Sequence, residues 1–230
     1  SAGGDSPSQG SANLGTLIHD IAHELGDDVD AELLVAEVER RWGRLGLPPG
    51  WATERQRDLA HLMATRLAAY FADPARPEKV DSEAVLRVDI GRASVSGRVD
   101  RLERTPDGLR VVDYKTGGSK PSAADVPAHP QLGTYQLAVE RGAFAAEGTT
   151  SAGAVLLHLG KAAGPVKPVP VAQVQPPLAQ HEQPDWAERL VADTADGMGG
   201  ARFPATPGSW CTFCPVRTSC PAQPEGDPVR

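Results

Sequence analysis

A pair of carboxylates inside an apolar β-ribbon constrains this chain more than any other feature. Gly97-Arg98-Val99-Asp100 and Val111-Val112-Asp113-Tyr114-Lys115 are strand-forming runs, and Thr105-Pro106-Asp107-Gly108 between them is a turn signal. If the turn centres between Pro106 and Asp107, Asp100 stands opposite Asp113; if it centres on Asp107-Gly108, Asp100 faces Lys115. The two registers differ by two residues, so the side-chain period of two keeps all three groups on one face. Opposed Cβ atoms lie about 4.5–5.5 Å apart, where like charges repel. Val99, Val111 and Val112 argue against a merely solvated charged face. Lys115 is a flexible point charge, and two crowded acids call for a divalent ion on hard oxygen donors.

Such a pair beside a lysine suits phosphodiester hydrolysis. A metal polarises a phosphoryl oxygen and lowers the pKa of a bound water, and the lysine orients that water or neutralises developing charge. The spacing D-x12-D-x-K resembles the PD-(D/E)XK nuclease superfamily. Three further pieces are similar to its RecB-type branch: Gly15-Thr16-Leu17-Ile18-His19 to a G-x-x-x-H helix, Gln131-Leu132-Gly133-Thr134-Tyr135 to a Q-x3-Y helix, and Cys211-x2-Cys214-x5-Cys220 to the closing part of an iron–sulfur motif. Together they span residues 14 to 221 in the family's order.

The resemblance implies an α/β fold, a restriction-endonuclease-like core with a central mixed sheet flanked by helices. An N-terminal helical segment precedes the core and a cysteine-bearing tail follows. It implies Mg²⁺ or Mn²⁺ on His19, Asp100 and Asp113, with the Tyr114 backbone carbonyl as a further ligand. Lys115 would position the attacking water, and Gln131 and Tyr135 would meet a phosphate or support Lys115. The implied substrate is single-stranded DNA or DNA ends. The implied partners are UvrD-like helicase domains upstream in the same polypeptide and a second helicase–nuclease subunit, as in AddAB- and AdnAB-type enzymes. No G-x4-G-K-[ST] occurs, so ATP hydrolysis would lie outside this piece.

Alternatives stay open for several residues. His19 and His23, four apart on a helix, could form a zinc pair. Gln131 and Tyr135 could be a polar stripe beside Leu132 and Leu137. Glu83, read as opening the first strand, stands where some relatives carry an auxiliary acid. His61, His129, His158 and His181 have no partner pattern and read as structural or solvated. Two rival functions also remain: a catalytically silent module for DNA guidance or subunit docking, and a stand-alone four-cysteine exonuclease of the CRISPR-adaptation kind.

The three cysteines all lie in the tail. With no secretion signal, a metal site in a reducing, cytoplasmic setting is the better reading than disulfides. A [4Fe-4S] cluster takes four thiolates. The family's remaining cysteine lies upstream of the histidine helix, so the expectation is that Ser1 begins a piece cut from a longer polypeptide. A zinc knuckle completed by another residue is the runner-up.

At 230 residues the chain suits one α/β domain with a tail. No apolar run approaches eighteen residues and no targeting peptide is visible. A net charge of −7 counts against free-standing tight DNA binding, unless metals and a tethered motor compensate. Arg92, Arg98, Arg101, Arg104 and Arg110 gather around the hairpin and are expected partly on a DNA-facing edge. The expected organisation is a flexible leader at 1–12, a nuclease domain at 13–200 (helical to 75, catalytic core from 78) and a cysteine tail at 201–230. Helices are expected at 13–25, 29–45, 51–72, 131–142 and 181–198. Strands are expected at 80–90, 93–104, 108–115, 152–159 and 166–174.

Overall fold

The computed structural model describes residues 7–160, 167–201 and 204–223, with side chains from residue 13. Three helices come first: α1 (Pro7–Leu25), α2 (Ala31–Trp42) and α3 (Trp51–Phe71). α1 begins at Pro7, within the stretch expected as a flexible leader; proline is well suited to a first helical position because its missing N–H would have no partner there. Asp30 caps α2 by accepting from Leu33 N–H at 2.8 Å.

Strands β1 (Glu78–Ile90), β2 (Ala93–Thr105) and β3 (Gly108–Lys115) follow, then α4 (Pro130–Glu140), β4 (Ser151–His158), β5 (Val171–Gln175) and α5 (Trp186–Gly199). α5 starts five residues later than expected, since Pro184 keeps Gln183 out of helical geometry. The sheet order is β1-β2-β3-β4-β5, parallel only between β3 and β4. Thus the fold is α/β, with a five-stranded mixed sheet flanked by helices.

Alternation along β3 and β4 divides the core. Val112, Tyr114, Val155 and Leu157 pack with α1, α2 and α3 through Ile18, Leu34, Val38 and Leu67. Leu109, Val111, Ala154 and Leu156 face α4 through Leu132, Ala138 and Val139. The sheet is therefore buried on both faces at its centre, which explains the nearly unbroken apolar run of β4.

The chain divides into two compact units, Ser1–Val191 and Ala192–Arg230. The second contains short 3-10 turns at Ser209–Phe213 and Arg217–Ser219, and its three cysteines are free and partly exposed. Among the described residues no helix is long and apolar enough to cross a membrane.

Candidate metal and nuclease site

Turn geometry sets the site. β1 and β2 join through the two residues Gly91-Arg92, with Ile90 opposite Ala93; Gly91 takes φ +59°, the left-handed conformation a tight hairpin needs. β2 and β3 join through Pro106-Asp107, with Thr105 opposite Gly108. Counting out from the second turn, Arg101 pairs with Val112, so Asp100 stands opposite Asp113. Counting out from the first, Ser82 pairs with Arg101 and Ala84 with Val99, so Glu83 stands opposite Asp100. Three acids thus form a row across three strands. Glu83 interrupts its ladder with φ +53°, the one non-glycine residue in that region among those described. Such backbone strain is typical of functional positions. Glu83 also lies within β1, not at its opening as expected, because the strand starts just past Pro77.

α1 supplies the histidine. His19 Nδ1 lies 3.0 Å from Asp100 Oδ1. Gly15, one turn earlier, explains the G-x-x-x-H spacing: a Cβ there would lie 2.9 Å from Thr116 Oγ1, the residue after Lys115. A bare backbone lets α1 settle against the end of β3. His23 instead pairs with Ser82 Oγ at 2.9 Å, so the two histidines do not face a common ion.

The ligand atoms of His19, Glu83 and Asp100 all lie within 4.8 Å of one another, the one such group among the described residues. Asp100 Oδ2 also accepts from Tyr114 N–H at 2.5 Å. N–H and C=O of a strand residue point to the same neighbour, so the Tyr114 carbonyl also faces the β2 side, where the acids lie.

Asp113 is buried and forms the other half of the site. Lys115 Nζ lies 2.7 Å from its Oδ2, a close ion pair without hydrogen-bond alignment. Gln131 Nε2 donates to Asp113 Oδ1 at 2.7 Å and to Tyr135 Oη at 2.8 Å, while its Oε1 accepts from Lys115 Nζ at 2.7 Å. Gln131 and Tyr135 therefore support Lys115 and Asp113, and are not an idle polar stripe.

The electrostatics call for a cation. Burial raises the Asp113 pKa, Asp100 raises it further, and Lys115 only partly opposes both. Burial alone would lower His19, but its bond to Asp100 and the charges of Asp100, Asp113 and Glu83 outweigh that and leave it raised. Burial chiefly, with Asp113 and Asp100, pushes Tyr135 up to about 12, so its hydroxyl stays protonated at neutral pH. A proton on His19 and a divalent ion are alternative ways of compensating the same carboxylates. One imidazole and hard carboxylate oxygens on adjacent strands fit Mg²⁺ or Mn²⁺.

Three of the five hairpin arginines pair with acids of this chain, and one stands exposed at the acid row. Arg101 is buried, bonded to Asp27 at 2.6 Å through each of two nitrogens and to Glu103 at 2.7 Å. Arg110 bonds Glu103 and Arg104 bonds Glu147. Arg98, exposed and 3.7 Å from Glu83, stands at the acid row. Acids distant in sequence, invisible to local periodicity, neutralise Arg101 and Arg104.

Among the described residues, the tail cysteines show no group of three sulfurs within 4.8 Å, a spacing suited to one ion and tighter than a cubane cluster requires. Gly208 N–H donates to Cys211 Sγ at 3.3 Å. Of the remaining histidines, His61 pairs with Glu39, His158 with Gln173 and His181 with Gln183, all outside the acid row. His129 precedes α4 and is lowered by burial and by Lys115.

No curated protein matches this chain. A solved structure described as "Crystal structure of SSO0001" is similar over 92% of this chain and 95% of its own, at 16% identity and a TM-score of 0.39. The model of the PD-(D/E)XK nuclease superfamily matches residues 2–221. With acids opposed on a hairpin, a lysine two residues beyond the second, and that match over nearly all its length, the chain belongs to the PD-(D/E)XK nuclease superfamily.

Proposed function

We propose that this chain is the DNA-cleaving module of a bacterial RecB-like helicase–nuclease, hydrolysing phosphodiester bonds of unwound single-stranded DNA as double-strand-break ends are processed for recombinational repair. Superfamily members are typically metal-dependent nucleases. The observation that carries the reading is the convergence of His19, Glu83 and Asp100 beside the Asp113–Lys115–Gln131 cluster.

His19, Asp100 and Asp113 would hold Mg²⁺ or Mn²⁺, with Glu83 and the Tyr114 carbonyl adjoining. The ion supplies Lewis acidity and a bound water of lowered pKa. Lys115, aimed by Asp113 and Gln131, brings its ammonium to the charge that develops on the phosphoryl oxygens. Gln131 keeps the lysine from swinging into solvent, and Tyr135 holds the second amide proton of Gln131. The chain is acidic overall, with a net charge of −7, which suits a module that receives its strand from UvrD-like motor domains in the same cytoplasmic polypeptide, paired with a second helicase–nuclease subunit. Cys211, Cys214 and Cys220 would be three ligands of a [4Fe-4S] staple completed by a cysteine upstream.

The test is Asp113→Ala in the complete polypeptide, with any partner nuclease disabled, on end-labelled single-stranded DNA in Mn²⁺. Cleavage should fall on the order of 100-fold or more. Undiminished metal-dependent cleavage overturns the assignment and leaves a silent module.

A further inference from the structure

Strand β5 carries none of the groups just described, yet its pattern is inverted. Val174 is 58% exposed while its neighbour Gln175 is 1% exposed. An apolar residue outward and an amide inward is the reverse of what burial favours, so the amide needs a reason. Its Nε2 donates to three backbone carbonyls: Val126 at 2.8 Å, Pro127 at 3.2 Å and His129 at 3.3 Å. Those residues form the turn that leads into α4. Pro127 and Pro130 have no N–H to donate; His129 N–H closes the turn on the Val126 carbonyl at 3.1 Å, and Gln175 ties it to the sheet.

A second buried amide fixes the first. Gln136 of α4, 0% exposed, donates from Nε2 to Gln175 Oε1 at 2.8 Å and to the Pro176 carbonyl at 3.1 Å. Its Oε1 accepts from Ser151 Oγ at 2.9 Å and from Leu178 N–H at 3.1 Å. Every polar atom of both amides is therefore satisfied inside the core, and the network allows one orientation of each. Leu132, Ala138 and Val139 already anchor α4 through apolar contact. What the amides add is direction.

Two residues beyond His129 stands Gln131, whose amide touches Lys115, Asp113 and Tyr135. Gln173, on the same face of β5 as Gln175, donates to the Pro121 carbonyl at 3.1 Å and accepts from His158 at 2.7 Å. β5 thus grips the segment between Lys115 and Gln131 at two places.

Resting on the reading of Lys115 as the group that meets the scissile phosphate, we propose that Gln175, locked by Gln136, is a positioning residue: it fixes the entry of α4 and so the place of the Gln131 amide that aims Lys115. His19, Asp100 and the adjoining Glu83 sit on α1, β2 and β1, beyond this device, and of the proposed ligands only Asp113 meets Gln131. Its loss should therefore slow turnover far more than it weakens the metal.

The test compares Gln175→Met and Gln175→Glu in the complete protein, measuring single-stranded DNA cleavage at saturating Mn²⁺ and Mn²⁺ affinity by calorimetry. Turnover should fall on the order of 10- to 100-fold, with KM for DNA unchanged and Mn²⁺ affinity changed far less than turnover. In a Gln131→Ala background, Gln175→Met should cost nothing further, because the two act through one contact. Additive losses, a matching fall in Mn²⁺ affinity, or unchanged turnover overturn the proposal. Should Gln175→Met unfold, the nearly isosteric Gln175→Glu decides; unfolding of both shows a purely structural role and overturns the proposal too. Wild-type protein that cleaves alongside Gln175 variants that cleave equally well sinks this inference alone. Wild-type protein that never cleaves sinks the reading of the site and this inference with it.

Discussion

Asp100→Asn should remove most of the stabilisation of the protein by Mn²⁺. Asp100 is the middle acid of the row, contacting His19 and Tyr114 and sharing a 4.8 Å donor cluster with Glu83. Asparagine keeps its shape and an oxygen for Tyr114 N–H but removes the charge. A ligand that binds only the folded state at 100 times its Kd stabilises by about 2.7 kcal/mol. At about 2–4 °C per kcal/mol for a chain of 230 residues, wild type should gain about 5–11 °C. The attraction between a divalent ion and one carboxylate at about 4 Å, with an effective dielectric of 20, is about 8 kcal/mol. Losing a fraction of that weakens binding beyond about 100-fold, which leaves about 0.4 kcal/mol of stabilisation and a shift of about 1–2 °C. Differential scanning fluorimetry with and without Mn²⁺, each variant against its own metal-free Tm, reads this directly. A variant shift more than half the wild-type size would refute the site.

Other perturbations follow from the same geometry. Because His19 and Asp113 have raised pKa values, protons compete with the ion, so the Mn²⁺ shift should shrink as pH falls from 8 to 6; a shift independent of pH contradicts this. The metal-free protein should behave oppositely with respect to His19: its pairing with Asp100 is fully present below the unfolded pKa near 6.5 and lost as pH rises through the raised folded value. Arg101→Met removes the buried cation between Asp27 and Glu103, leaving Arg76 and Lys79 on the first and Arg110 on the second, and should cost about 3 kcal/mol in urea denaturation. The exposed Arg104–Glu147 pair should cost under about 1 kcal/mol when Arg104 becomes Ala; equal costs would contradict the assigned burial. Gly15→Leu should push α1 away from Thr116 and reduce the Mn²⁺ shift, whereas an unchanged shift shows the close approach to be incidental.

The hairpin was legible because a turn fixes register and register fixes which acids meet. The same counting from Gly91-Arg92 places Glu83 opposite Asp100, and the strand expected at 80–90 already contains it. The meeting of His19 with Asp100 spans 81 positions; resemblance anticipated it, since no local pattern carries it. Which arginines pair internally was not legible, because Asp27 and Glu147 reach Arg101 and Arg104 from distant loops. Gln175 was invisible for a sharper reason. Val-Ala-Gln-Val-Gln reads as a strand with its glutamines toward solvent, and the protein turns that pattern inside out to hold the entry of α4.

Whether the opposed carboxylates and His19 form one divalent-ion site is tested most directly by anomalous diffraction from crystals grown with Mn²⁺. A single strong peak should lie at coordination distance, about 2.1 Å, from oxygens of Asp100 and Asp113 and from a His19 nitrogen. A peak bound elsewhere, or none at saturating Mn²⁺, would contradict that site.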